Sequence, residues 1–316
     1  MGMKLRIVMV TPLALVSAGI LPAADPQLLN LVMPDAKILA GINVDQAKAT
    51  PFGQFVLAQA QAQNQQLQEM VTETGFDPTR DLHEILMASN GTQPHSGLAL
   101  ARGNFSPDRI DAAAQKAGGV SENYRGVTIV EDPKKESAFA FLSGSIAVGG
   151  DIAGVKAAID RQTAPATLPA ALLVQVNQLS TSEDAWGISE VPPPAFKTAP
   201  AAPNVPNIPP NLFQDIQQAS GGVKFGSQVA ITAQLQTGSA QNAASLAGVL
   251  QFLINLGQMQ NQQNPQAAEA LKSVTIAASG NQVNISANIP EADVEALLEH
   301  KPSPKAAPNG RRRLAR

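Results

Sequence analysis

The chain of 316 residues contains no cysteine. That excludes disulfides, thiol nucleophiles, thiolate metal sites and a lipid-bearing cysteine. One Trp, one Tyr and ten Phe are too few to build a stacking platform for single strands or sugars. Only three histidines occur, His83, His95 and His300, which leaves little material for imidazole catalysis. There is no Gly-x-Ser-x-Gly elbow, and no Ser-x-x-Lys is framed by the other β-lactamase motifs. Beyond the first 24 residues there is no long apolar run, so no transmembrane segment is expected in the mature chain.

Bases are scarce where most of the chain lies. The sequence holds 22 Lys and Arg against 25 Asp and Glu, a net charge of −3. Two bases, Lys4 and Arg6, sit at the start, and six follow His300. The intervening chain therefore carries 14 bases against all 25 acids. An acidic body lacks the clustered positive charge that a nucleic-acid groove needs.

The first 24 residues are ordered as a secretory leader: a basic start, an apolar stretch from Ile7 to Leu21, then small residues at Ala23 and Ala24. Cleavage is expected after Ala24, with Ala18 as the other site that fits the small-residue rule. Export to the periplasm or beyond follows from this reading.

Punctuation along the rest predicts an α+β fold. Strands are expected at 36–44, 85–88, 96–102, 127–131, 137–142 and 146–148. Thr50-Pro51 opens a helix ended by Gly75, Ser106-Pro107 one ending near Ala117, and Asp151 one ending near Arg161. Later come a helix at 170–179, strands at 185–191 and 223–235, and a long helix at 239–260 burying Leu246, Val249, Leu250, Leu253 and Leu256. A helix opened by Pro265, a hairpin of 271–278 with 282–289 and a last helix to Glu299 close the pattern.

Both 137–161 and 273–299 read strand, Ser-Gly turn, strand, helix. This matching order predicts two similar halves, 25–165 and 166–300, each an antiparallel or mixed sheet packed with helices, of a split βαβ, ferredoxin-like type. The second half carries a Pro-rich insertion at 192–210, and a basic tail occupies 301–316. Six positive charges in that tail suit electrostatic contact with an anionic surface.

The run Gly75-Phe76-Asp77-Pro78-Thr79-Arg80-Asp81-Leu82, the step Tyr124-Arg125-Gly126-Val127-Thr128-Ile129 and the close at 138–159 resemble uncharacterised exported bacterial proteins. Those share a Gly-hydrophobe-Asp-Pro step, a Tyr-x-Gly step and a closing Gly-Asp helix cap. The resemblance covers mainly residues 35–162. It implies an envelope protein and carries over no catalytic residue. The second half departs from it by the Pro-rich insertion.

Asp77, Asp81 and His83, with Glu84 beside them, are the densest set of metal-ligand types. Asp77 before Pro78 equally suits a helix N-cap, and acids in a first turn offset the helix dipole. Gly149-Gly150-Asp151 follows a strand and opens a helix, but Asp151 would repel a phosphate there. Gly118-Gly119 reads as a helix stop. The Gln-rich stretches 59–68 and 258–266 read as solvated helix faces, and the stripe on the 239–260 helix as core, with a partner helix or a buried lipid as its other use.

No cofactor and no catalytic residue is assigned. The expected role is a non-enzymatic binding or interaction module of the bacterial envelope, its partner an envelope protein or a small ligand. The rival is a carboxylate-dependent hydrolase with a cleft between the halves.

Overall fold

The computed structural model describes residues 24–63, 65–92, 97–191, 212–261 and 264–299. Residues 1–23 of the expected leader, His95, His300, the Pro-rich insertion and the basic tail lie outside the described residues.

Local chemistry accounts for most element starts. Asp25 accepts from the Gln27 N–H and opens α1 (Pro26–Leu29). Strand β1 (Ile38–Asn43) ends where Asn43 caps α2 (Val44–Lys48). The Thr50 hydroxyl accepts from the Gly53 N–H at the head of α3 (Pro51–Gln63). Helix α4 (Gln65–Thr74) is followed by Gly75 at φ +72°, a left-handed stop that suits glycine. Asp77 caps the single turn α5 (Pro78–Asp81).

Strands β2 (Leu82–Ser89) and β3 (Gly97–Gly103) then lead to α6 (Pro107–Lys116). Next come β4 (Val120–Tyr124), β5 (Val127–Asp132), β6 (Ser137–Ser143) and β7 (Ile146–Asp151). Arg125 and Gly126 at φ +52° and +84° form the tight turn joining β4 to β5. Asp151 accepts from the Gly154 N–H and caps α7 (Ile152–Arg161).

Helix α8 (Ala170–Ser182) precedes β8 (Ala185–Ser189). A 3-10 turn at Leu212–Asp215 feeds β9 (Ile216–Lys224) and β10 (Gln228–Thr237). Ser239 caps α9 (Ala240–Gln260), and Asn264 caps α10 (Pro265–Lys272). Strands β11 (Thr275–Ser279) and β12 (Gln282–Pro290) and helix α11 (Glu291–Glu299) complete the order.

The fold is α+β. The strands form one sheet in the order β11-β12-β10-β9-β8-β1-β2-β3-β7-β6-β5-β4, and every pairing is antiparallel. The sheet continues across the boundary at 165/166, because β1 pairs with β8, Leu39 opposite Ile188.

Alternation sends successive side chains to opposite faces. On one face Leu39, Leu86, Leu98, Leu100 and Ile188 are buried against Leu28, Val32, Val155, Leu172 and Val176 of α1, its following turn, α7 and α8. On the other face α9 covers only one end of the sheet, where Leu246 and Val249 meet Ile216, Leu235 and Val283.

Three expectations need correction. Leu253 and Leu256 are 39% and 38% exposed, with Phe252 at 45% beside them, so the buried stripe of α9 is confined to its first half. Residues 271–274 are not strand: α10 continues to Lys272, and the strand starts at Thr275. Strand β4 was not foreseen, since Val-Ser-Glu-Asn-Tyr is polar and lies at the sheet edge, where one row of backbone groups needs no partner strand.

Candidate functional site

The face of the central strands that α9 does not cover is apolar and concave. Along β1 it carries Ile38, Ala40 and Ile42, and along β8 Ala185, Gly187 and Ser189, paired in register as Ala40 with Gly187 and Ile42 with Ala185. Ala219, Gly221 and Val223 of β9 continue the surface, each opposite one of those β8 residues. Ile231, Ala233 and Leu235 of β10 then carry it to α9.

These residues line a cavity of about 600 Å³. A second of about 420 Å³ adjoins it and shares Ile38, Ala40 and Met87, with Ala99 of β3 and Gly149 of β7 on its far side. Together they make a trough crossing seven strands, from β10 to β7. Six spacings of about 4.8 Å give it a length of about 29 Å.

Small side chains make this surface hollow. Ala40, Gly187, Gly221, Ala233, Ala99 and Gly149 supply the floor, while Ile38, Ile42, Met87 and Ile231 rise from it. Met87, at 46% exposed, stands between the two cavities. Among the described residues no Asp, Glu, Lys, Arg or His lines either one. Such a lining offers dispersion and desolvation but no acid, base or metal ligand.

The residues singled out for metal chemistry lie elsewhere. Asp77 accepts from the N–H and hydroxyl of Thr79 at 2.9 and 2.7 Å. Asp81 takes both Nε and Nη2 of Arg80 at 2.7 Å and the Asp77 N–H at 2.9 Å. The hydrogen bonds from Arg80 hold the Asp81 carboxyl below the usual carboxylate range. His83 turns instead to Asp45, its Nδ1 3.0 Å from the carboxylate. Nε2 lies 3.1 Å from the Asn104 amide nitrogen. The structure thus joins Asp77 to Asp81 and leaves His83 apart. Among the described residues no three His, Asp or Glu side chains converge. Gly149 and Gly150 lie within β7, and Asp151 is engaged as a cap.

A carboxylate pair that sequence reasoning missed joins α1 to the sheet. The Asp25 N–H donates to Glu84 Oε1 at 3.1 Å, and the Asp25 carboxylate pairs with Arg102. Burial pushes the Glu84 carboxyl up, the Asp25 N–H pulls it back, and the Asp25 charge raises it again. None of these three residues lines the trough. Their separation in sequence left no local signal.

No family model matches the sequence, and no curated protein matches it. Solved structures do match. The fold is similar to that of TP0453, a Treponema protein. Crystal form III of that protein superposes with a TM-score of 0.56 at 11% identity, covering 85% of this chain and 96% of the other. Crystal form I gives 0.52 at 13% identity, covering 87% and 98%. At such identities the likeness to TP0453 extends to the fold alone.

Proposed function

We propose that this chain is an exported, non-enzymatic binding module of the bacterial envelope, and that its trough takes an elongated apolar ligand of the acyl-chain type. The observation that carries this is the lining, whose described residues include no ionisable side chain along about 29 Å of sheet face. A shallow floor of Ala and Gly suits a slender chain better than a fused-ring body. Burial of apolar area at about 25 cal/mol per Å² would supply the affinity. Export is supported by the basic-apolar-small order of residues 1–24, and envelope residence by the basic tail at 301–316 on an acidic body.

The reading of two similar halves draws support from strand order. Outward from the β1–β8 seam, one direction runs β1, β2, β3, β7, β6 and the other β8, β9, β10, β12, β11. Helices follow β3 and β10, and closing helices α7 and α11 follow β7 and β12. The repeat we favour is a three-strand meander plus a crossed-over hairpin, rather than a split βαβ unit.

The test is displacement of a fluorescent acyl-chain probe by palmitate on the purified full chain. Ala40 borders both cavities, so Ala40→Phe should weaken binding while leaving the melting temperature close to the parent's. A parent that binds no probe, or an Ala40→Phe variant that binds as the parent does, would sink the proposal.

A further inference from the structure

The opposite face of the same outer strands is hydrophilic and has a cavity of its own. It measures about 500 Å³ and lies between the last turns of α8 and strands β9, β10 and β12. Alternation decides its character: Ser220, Thr232, Gln234, Asn284 and Ser286 point here, while Ala219, Ala233, Leu235 and Val283 point to the other side. From α8, Gln175, Gln178, Leu179 and Ser182 complete the wall, with Ile285 of β12 also bordering it.

Glu183, the residue that ends α8, lies at the inner side of this cavity. It is only 7% exposed. Its side chain packs where a Cβ on Gly222 would come within 2.5 Å of its Cγ, so the glycine makes room for it. Oε1 accepts from the Thr232 hydroxyl at 3.1 Å. Among the described residues no Lys or Arg forms an ion pair with it, whereas the adjacent Asp184 has Lys224.

An ionised carboxylate offers about four acceptor sites, and withdrawing one from water without a cation is costly. The carbonyl end of α8 adds partial negative charge at the same place. Both effects select a positive group.

We propose that this cavity is a binding site for a small organic cation that also carries hydroxyl or amide groups. Its ammonium would sit on Glu183, and its neutral polar groups on the amides of Gln178, Gln234 and Asn284. The site lies across the backbone of β9 and β10 from the acyl-chain trough, with Ser220, Gly221, Thr232 and Ala233 bordering both, and stands whether or not the trough binds lipid.

Glucosamine is a suitable probe, with N-acetylglucosamine as its neutral counterpart. Titration calorimetry on the full chain should show saturable binding of glucosamine and at least about tenfold weaker binding of the acetylated sugar, the scale of one charge-assisted hydrogen bond. Glu183→Gln should weaken glucosamine by a similar factor. Asn284 is exposed on β12 and accepts from the Gln234 amide, so Asn284→Leu, which removes the amide from the wall at nearly unchanged shape, should weaken glucosamine binding with little change in the melting temperature. Ala40→Phe, in the trough, should leave glucosamine binding unchanged. Equal binding of the two sugars, an unaffected Asn284→Leu variant, or no saturable binding at all would overturn the proposal.

Discussion

Trp186 fills the space that a side chain at Gly41 would need: a Cβ there would lie 2.5 Å from the indole Cε2. The two residues are direct partners across the β1–β8 seam. The sole tryptophan of the chain is therefore seated by a glycine on the neighbouring strand, 7% exposed, at the middle of the sheet. Gly41→Ala should destabilise the fold by about 1–3 kcal/mol through overpacking. Urea unfolding followed by far-ultraviolet circular dichroism measures it in every variant, including those without the tryptophan. Combining Gly41→Ala with Trp186→Leu should give less than the sum of the single losses, because the clash is gone; additive losses would mean that the two sites do not touch.

Lys224 reaches Asp184 at 2.6 Å, and Asp184, 1% exposed, also accepts from the Phe225 N–H at 2.6 Å. Lys224→Ala leaves that carboxylate buried without its cation. The expected cost is about 3 kcal/mol, read from the shift in urea midpoint. A loss below about 0.5 kcal/mol would show that the pair adds nothing.

Acid titration should separate two carboxylates of opposite sign. Burial raises Glu84, so its contribution is full below the ordinary Glu value of about 4.3 and is lost as pH climbs through the raised one. Glu84→Gln keeps an acceptor for the Asp25 N–H and should match or exceed the parent's melting temperature at neutral pH. Asp81 is lowered by Arg80, so its contribution is present above about pH 3.9 and lost as pH falls through the lowered value. Asp81→Asn should therefore lower the melting temperature at neutral pH and converge on the parent in strong acid. Melts across this pH range decide both.

Helix α9 should respond differently along its length. Leu246 is fully buried and Leu256 is 38% exposed. Leu246→Ala should cost about 2–5 kcal/mol and Leu256→Ser less than about 0.5 kcal/mol, by the same unfolding assay. Similar losses at the two positions would mean that the second half of the helix is packed after all.

On the proposed reading of residues 1–24 as an export leader, cleavage should fall upstream of Ala24. Ala24 is 5% exposed, and its N–H donates to the Ser180 hydroxyl at 3.0 Å. Cutting after Ala24 would delete a core residue and free Asp25, whereas cutting after Ala18 keeps both. N-terminal sequencing of exported protein should begin at or before Ala24; a start at Asp25 would refute this.

Much of the fold was legible because helix starts are local chemistry. Thr50, Asp77, Asp151 and Ser239 announce their helices by residue type, and Gly75 announces a stop. Period-two alternation likewise announces strands, but it cannot say which face is covered. Nothing near Ile38 shows that β8 will pair with β1, or that α9 will stop short of Ala40 and Gly187. The exposure of Leu253 and Leu256 was hidden for the same reason: periodicity gives a stripe, and only tertiary packing decides how far it is buried. Glu183 carries no local mark either, since Gly222, which makes room for it, belongs to another strand.

Strands β9 and β10 act as a septum one backbone thick. All four of Ser220, Gly221, Thr232 and Ala233 border both compartments, while strand alternation turns the Ser220 and Thr232 side chains to the hydrophilic one and that of Ala233 to the oily one. Odd-numbered substitutions along β10 therefore retune one compartment and even-numbered ones the other. A single-residue insertion within β10, unless absorbed as a bulge, would turn the β10 side chains beyond it to the opposite compartments.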